Sequence, residues 1–260
     1  MSPASAPHYT LQRSNRALVE TNSQGGFPLT RHSLILAAQG DDAIARSRAI
    51  DAITAVYWKP IYKYARLKWN LSSEDAADFT QEFFTRLLEK ELLDSYESSK
   101  GRLRTFLRTC ADRLFLKQIR DSARLKRGAG SPHIALEFEE AEYELSIAGT
   151  HPSPEDTFDR EWARSLFSLG VQRLRDHLDS EGKSLHFRLF ERYDLNDDDD
   201  KTSYAQLATE FGLTSTDVTN YLALARREFR RCVLDQLREM TASDDEFRRE
   251  AQSLLGLEIK

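Results

Sequence analysis

The spacing of large apolar side chains in the first third of the sequence most constrains what this chain can fold into. The side chains concerned recur at helical intervals and are Trp58, Ile61, Tyr62, Ala65 and Trp69. This period places them on one face of an α-helix, whereas a half-buried strand would alternate apolar and polar residues. Similar spacing recurs further along, and no pair of strand-like segments is evident. The sequence therefore predicts an all-α fold, in which Pro60 kinks or splits this helix.

The helical patterns are interrupted in ways that divide the chain into four parts. Residues 1–29 are rich in small and polar residues without a sustained period, which predicts a disordered tail. Residues 30–127 and 153–260 carry the helical patterns and predict two small helical domains. Residues 128–152 begin with a Gly- and Pro-containing break and continue with acids, which indicates an acidic linker.

Hydropathy and cysteine content indicate the surroundings in which the chain works. The mean hydropathy of −0.58 comes with no apolar run near the roughly 18 to 20 residues that a bilayer span needs. No basic-then-apolar secretory signal is present at the start. Cys110 and Cys232 both fall within helical patterns and cannot form a disulfide framework or a zinc site. We expect a cytoplasmic protein with no membrane partner.

Charge is segregated along the chain, although the net charge is only −5. Residues 100–127 contain ten basic and two acidic residues, a net charge of +8. Residues 135–161 contain nine acidic residues and one basic residue, a net charge of −8. This asymmetry favours a polyanion-binding surface beside a segment that repels polyanions. Solvated helix faces next to a loose acidic loop are the alternative.

The C-terminal part carries the pattern of a helix-turn-helix. Ser203 with Gln206 and Thr214 with Asp217 form two capping boxes, and Gly212 between them suits a turn with positive φ. The apolar residues expected to fill the core between the helices are Leu207, Phe211, Leu213, Val218 and Tyr221. The second helix would enter a DNA major groove. Its expected base-facing residues are Ser215, Thr216, Thr219 and Asn220, and its expected phosphate-binding residues are Arg226, Arg227 and Arg230. An ordinary helical hairpin is the alternative.

A polar stripe marks the helix predicted to begin after Ser72. Its members are spaced at i, i+3, i+4 and i+7 and are Asp78, Gln81, Glu82 and Thr85. Such a stripe is usually a solvated face. Only the neighbouring segments indicate that it has a function. Residues 76–88 combine an acid-x-x-Gln-Glu-x-Phe pattern with a following Gly-containing loop, and residues 100–108 begin a basic helix with an aromatic–Leu pair.

This combination resembles conserved region 2 of bacterial RNA polymerase sigma factors of the sigma-70 family, in the extracytoplasmic-function (ECF) or ECF-like group. Residues 202–238 resemble region 4 of the same family, and the resemblance extends from about residue 30 to the C-terminus. Two departures occur within region 2. Phe106 stands where the family usually has Trp, and Arg113 stands where it often has Asn.

The resemblance implies specific roles for the residues of region 2. The polar stripe would dock on the clamp helices of the polymerase β′ subunit. The loop of residues 94–102 would hold a base flipped from the minus-10 element, with Tyr96 as a stacking wall. The residues implied to contact DNA are Tyr96, Lys100, Arg102, Arg104, Arg108, Arg113, Lys117 and Arg120.

The resemblance also implies partners for the rest of the chain. Region 4 would read the minus-35 element and contact the β flap of the polymerase. The acidic linker would thread through basic nucleic-acid channels of the polymerase. The resemblance further allows an anti-sigma factor as a partner, and it implies neither a cofactor nor a small-molecule substrate.

Enzyme chemistry finds little support in the sequence. The six histidines form no pair with ligand spacing, and neither a Gly-rich phosphate loop nor a nucleophile motif is present. Residues 194–199 faintly resemble a calcium loop, but the sixth position is Asp199 and the twelfth is Ala205. We therefore expect no metal site and no catalytic residues.

Two functions remain. The favoured one is a sigma factor that binds core RNA polymerase, recognises minus-10 and minus-35 promoter DNA and promotes strand opening. The alternative is a stand-alone helix-turn-helix regulator with an N-terminal dimerisation or sensor domain. Because DNA affinity depends on counterion release by basic residues, a chain at −5 should bind DNA weakly by itself. This favours the sigma factor.

Overall fold

The computed structural model describes residues 34–89, 92–122, 136–147, 153–196 and 202–256. Within these residues it contains ten α-helices and no β-strand, which confirms the predicted all-α fold. The predicted tail of residues 1–29 lies outside the described residues.

Ten helices make up most of the described residues. Their bounds are α1 Leu34–Gln39, α2 Ala43–Lys68, α3 Ser73–Leu88, α4 Leu103–Ser122, α5 Phe138–Ile147, α6 Pro154–Ser180, α7 Ser184–Phe190, α8 Tyr204–Phe211, α9 Ser215–Glu239 and α10 Asp244–Leu255. A 3-10 turn, Leu93–Ser95, precedes α4, and a π-helical turn, Glu191–Leu195, continues α7.

The chain divides into two compact units whose boundaries fall inside helices. The first unit comprises the described residues up to 166 together with residues 237–256. The second unit comprises the described residues between 167 and 236. This division differs from the predicted one, because α5 from the predicted linker and α10 from the predicted C-terminal domain both belong to the first unit.

The long helix α2 forms the centre of the first unit. Asp42 caps its N-terminus by accepting hydrogen bonds from the amides of Ile44 and Ala45. The helix continues through Pro60 to Lys68, so the predicted split does not occur. Pro60 is itself buried, as are most residues of the following turn. Packing on all sides holds the helical conformation that the proline ring would otherwise disturb.

The second unit contains the predicted helix-turn-helix. Ser203 and Gln206 form a complete capping box at α8, and Gly212 ends that helix with φ of 66°. Thr214 and Asp217 form the second reciprocal cap at α9. Leu207 and Val218 are fully buried, and the partly buried side chains of Phe211, Leu213 and Tyr221 pack against the same core. The predicted local structure of this motif is confirmed.

Candidate nucleic-acid interface

The polar stripe on α3 is divided between surface and interior. Asp78 is exposed, whereas Gln81 and Glu82 are half-buried. Thr85 is only 7% exposed, and its hydroxyl has no hydrogen-bond partner among the described residues. The neighbouring Phe84 and Leu87 are also buried, whereas Arg86 and Leu88 are half-buried. Thr85 is therefore a core residue, which corrects the expectation that it lies on the docking surface.

Glu82 has structural partners inside the first unit. One of its carboxylate oxygens accepts hydrogen bonds from Arg86 at 2.9 and 2.6 Å. The other accepts from the Gln118 amide of α4 at 2.6 Å. Glu82 thus ties α3 to α4, and Asp78 is the most exposed member of the stripe.

The basic residues of α4 fall into two groups with different surroundings. Arg113, Lys117 and Arg120 are exposed and lie at i, i+4 and i+7, hence on one face of the helix. Lys100, just before the helix, is also exposed and pairs with Glu97 at 2.7 Å. Arg108 is half-buried, with its guanidinium 5.9 Å from the centre of the Phe158 ring. The face formed by Arg113, Lys117 and Arg120 is therefore open to phosphates, whereas Lys100 would have to exchange Glu97 for a phosphate.

Tyr96, expected to be a stacking wall for a flipped base, is in the interior. Its side chain is 5% exposed, and its ring centre lies 5.1 Å from that of Phe106. Its hydroxyl donates to the carboxylate of Glu246 over 2.7 Å. A base cannot reach the Tyr96 ring in this arrangement, which corrects the expectation from sequence.

Arg104 is likewise enclosed, being only 7% exposed. Its Nε donates to Glu250 over 3.0 Å, and its Nη1 lies 3.1 Å from Asp159. Its guanidinium also stacks 4.6 Å from the centre of the Trp162 ring. The half-buried Arg102 lies 3.6 Å from Glu250. Arg102 and Arg104, which were expected to bind phosphates, are therefore paired with carboxylates of the same chain.

The helix that supplies two of these carboxylates, α10, is the element that sequence reasoning missed. Two signals for it are present. Ser243 caps the helix by accepting from the Glu246 amide, and Gly256 ends it with φ of 64°. Phe247 and Ala251 are apolar at i and i+4 and are buried. The acidic composition of α10 is typical of an exposed tail. The sequence therefore gives no indication that Glu246 and Glu250 lie on a buried face of the helix.

The predicted acidic linker also contributes a packed element, α5. Glu142 forms a two-pronged ion pair with Arg66 of α2, at 2.5 and 3.0 Å, and accepts a hydrogen bond from Tyr62 at 2.8 Å. Glu144 lies 3.1 Å from Lys59 and 2.5 Å from Lys63. These acids are thus committed to α2, and threading this segment through a polymerase would require both to leave.

Acid should release α5 from α2. The hydrogen bond from Arg66 lowers the folded-state pKa of Glu142 below its ordinary 4.5. Burial raises the pKa of Glu144, but Lys63 and Lys59 outweigh it and lower the pKa overall. A lowered pKa means that stabilisation is complete above the ordinary value and is lost as the pH falls through the folded-state value.

We expect this loss as the pH falls below about 4.5, the ordinary value from which both pKa values are lowered. The fluorescence of Trp58 should report it, because the Phe138 ring of α5 lies 5.8 Å from it, edge to face. Glu142→Gln should reduce the amplitude of this fluorescence change. Glu139→Gln, at an exposed position of the same helix, should leave the amplitude unchanged. An equal effect of both substitutions would contradict the assignment.

The residues of the second unit that are predicted to face DNA lie mostly on its surface. Ser215, Thr216, Thr219 and Asn220 are all exposed on the first turns of α9. Arg227 and Arg230 are exposed further along. Arg226 instead pairs with Asp194 at 2.9 Å and donates to the Tyr204 hydroxyl at 3.2 Å. Arg226 would therefore have to exchange these partners to bind a phosphate.

Comparison with known families identifies one segment of the first unit. Residues 57–125 match the family model of sigma-70 region 2. The chain carries a sigma-70 region 2. The resemblance to region 2 of sigma-70 family factors noted from the sequence is thereby confirmed. No curated protein and no solved structure gave a match.

Region 2 begins within α2, at Tyr57, and includes all of α3 and α4. It therefore contains both the exposed Asp78 and the cation face of Arg113, Lys117 and Arg120. The helices α5 and α10, whose acids pair with region 2 residues, lie outside the matched segment. Among the described helices, none meets the length and hydropathy that a bilayer span requires.

Proposed function

We propose that the chain is a sigma factor, a dissociable subunit that gives core RNA polymerase promoter recognition and strand opening. The match of residues 57–125 to sigma-70 region 2 carries the proposal. Region 2 implies core RNA polymerase and promoter DNA as partners. The motifs of residues 76–88 and 100–108 support its assignment to the ECF or ECF-like group.

The exposed part of α3 would bind the polymerase. Asp78 presents a carboxylate to solvent, and the half-buried Gln81 and Glu82 lie one turn further along the same face. We assign this surface to the clamp helices of the β′ subunit. Glu82 takes part chiefly by holding α3 against α4, because its two oxygens are occupied by Arg86 and Gln118.

Promoter DNA would meet the chain at two places. The exposed cations Arg113, Lys117 and Arg120 suit phosphates of the opening strand, because phosphate contacts position a nucleic acid without reading its sequence. The exposed polar residues at the start of α9 suit base edges of the minus-35 element in a major groove. The same unit would contact the β flap, and an anti-sigma factor could compete for either surface.

The deciding experiment is transcription in vitro with purified core RNA polymerase and a library of genomic fragments. We expect start sites that depend on the protein and share an upstream sequence element. Omitting the protein should abolish these transcripts while leaving core polymerase active on a template with a single-stranded end. Tight, dimeric operator binding without polymerase, together with no initiation, would instead establish the stand-alone regulator.

A further inference from the structure

The C-terminal helix α10 occupies the end of region 2 at which promoter DNA is expected. Its inward face comprises Glu246, Phe247, Glu250 and Ala251, all at most 4% exposed. Two of these four residues are acidic, although burying a carboxylate is costly unless it is paired. Apolar residues would cover the same surface with a smaller desolvation penalty. The partners of the two acids therefore indicate why carboxylates lie here.

Glu246 satisfies backbone and hydroxyl donors of region 2. One of its oxygens accepts from the Leu103 amide at 2.8 Å and from the Tyr96 hydroxyl at 2.7 Å. Leu103 is the first residue of α4, so the carboxylate sits at the positive end of that helix dipole. Its other oxygen accepts from the Ala242 amide at 2.9 Å.

Glu250 pairs with the two neighbouring guanidinium groups. Arg104 donates to one of its oxygens at 3.0 Å, and Arg102 approaches the other to 3.6 Å. That second oxygen is buried and has no hydrogen-bond partner among the described residues. Glu250 therefore receives only part of the hydrogen bonding that a buried carboxylate needs.

The donors gathered here are those that hold phosphates in proteins: a helix N-terminus, a hydroxyl and two arginines. We propose that α10 is an internal competitor for this site, in which Glu246 and Glu250 take the place of DNA phosphates. The proposal rests on the sigma-factor function. Promoter strands can enter this end of region 2 only after α10 has left.

A full-length charge variant tests the competition. Glu246→Gln with Glu250→Gln removes two charges that face region 2. The matched control, Asp244→Asn with Asp245→Asn, removes two charges from the same helix at positions whose side chains are 69% and 80% exposed. Circular dichroism verifies that both proteins fold.

The probe is a fluorescein-labelled, mixed-sequence DNA single strand, because phosphate contacts do not depend on sequence. We expect the Gln pair to bind this strand about tenfold more tightly than the wild type. The plot of log affinity against log salt should steepen by about 1.4, which corresponds to two additional phosphate contacts. The Asn pair, which changes net charge equally, should have little effect. Equal gains in the two proteins would overturn the proposal.

Hydrogen exchange on the wild-type chain provides a second test that requires no substitution. Amides of α10 and the Leu103 amide should lose protection when core polymerase and promoter DNA are added together. Unchanged protection of α10 in the open complex would overturn the proposal, whatever the variants show. The transcription assay separates the two levels of inference. Active initiation with unchanged α10 protection refutes only the competitor, whereas absent initiation refutes the sigma-factor function.

Discussion

Replacing Lys63 with Met is expected to lower the free energy of unfolding of the first unit by about 3 kcal/mol, because it removes the buried cation that Glu144 and Glu161 share and leaves them only the more exposed Lys59 and Arg164. The Lys63 side chain is only 2% exposed, and its ammonium lies 2.5 Å from Glu144 and 2.8 Å from Glu161. The Glu161 side chain is 5% exposed, so water cannot replace the lost partner.

Urea unfolding followed by tryptophan fluorescence measures this effect. The three tryptophans of the chain, Trp58, Trp69 and Trp162, all belong to the first unit, so their signal reports on that unit. Lys59→Met is the matched control on the same helix. Lys59 pairs with Glu140 and Glu144 but its side chain is 20% exposed, and we expect a loss of about 1 kcal/mol or less. Similar losses for the two variants would show that Lys63 is not the buried centre of this network.

Asp78→Arg is expected to weaken binding to core RNA polymerase by roughly thirtyfold, equivalent to about 2 kcal/mol, the size of an interface hot spot. Asp78 is exposed on α3, so the substitution should leave the fold intact while reversing charge at the centre of the proposed docking face. Glu82→Arg would be less informative, because it also breaks the contacts with Arg86 and Gln118.

Fluorescence anisotropy of the labelled protein titrated with core polymerase measures this affinity. Glu139→Arg makes the same charge change at an exposed position of α5 and should bind like the wild type. If both variants lose affinity equally, general electrostatics rather than a docking face explains the effect. If neither loses affinity, the face assigned to α3 is incorrect.

Local features were predictable from the sequence where they depend only on residues close by in the chain. The capping boxes at Ser203 and Thr214, the positive φ of Gly212 and the cap at Ser72 all depend on contacts within four residues. The helical period and the motifs of region 2 are likewise properties of short segments, and the match to sigma-70 region 2 supports their interpretation.

Burial of individual polar residues could not be predicted in the same way. Thr85 belongs to the polar stripe by spacing, yet it is buried beside Phe84 in the structure. Tyr96 and Arg104 carry the chemistry expected for a DNA contact, yet carboxylates 150 and 146 residues away in sequence hold them in the interior.

The amino-acid sequence by itself determined the all-α class, the helix-turn-helix and the presence of a sigma-70 region 2, because periodicity, caps and turns act over a few residues. Only the tertiary structure decided that the acidic stretches are docked helices and that α10 occupies the start of α4. An acid that is solvated and an acid that is paired with a distant arginine have the same local sequence. The difference between them lies in long-range packing.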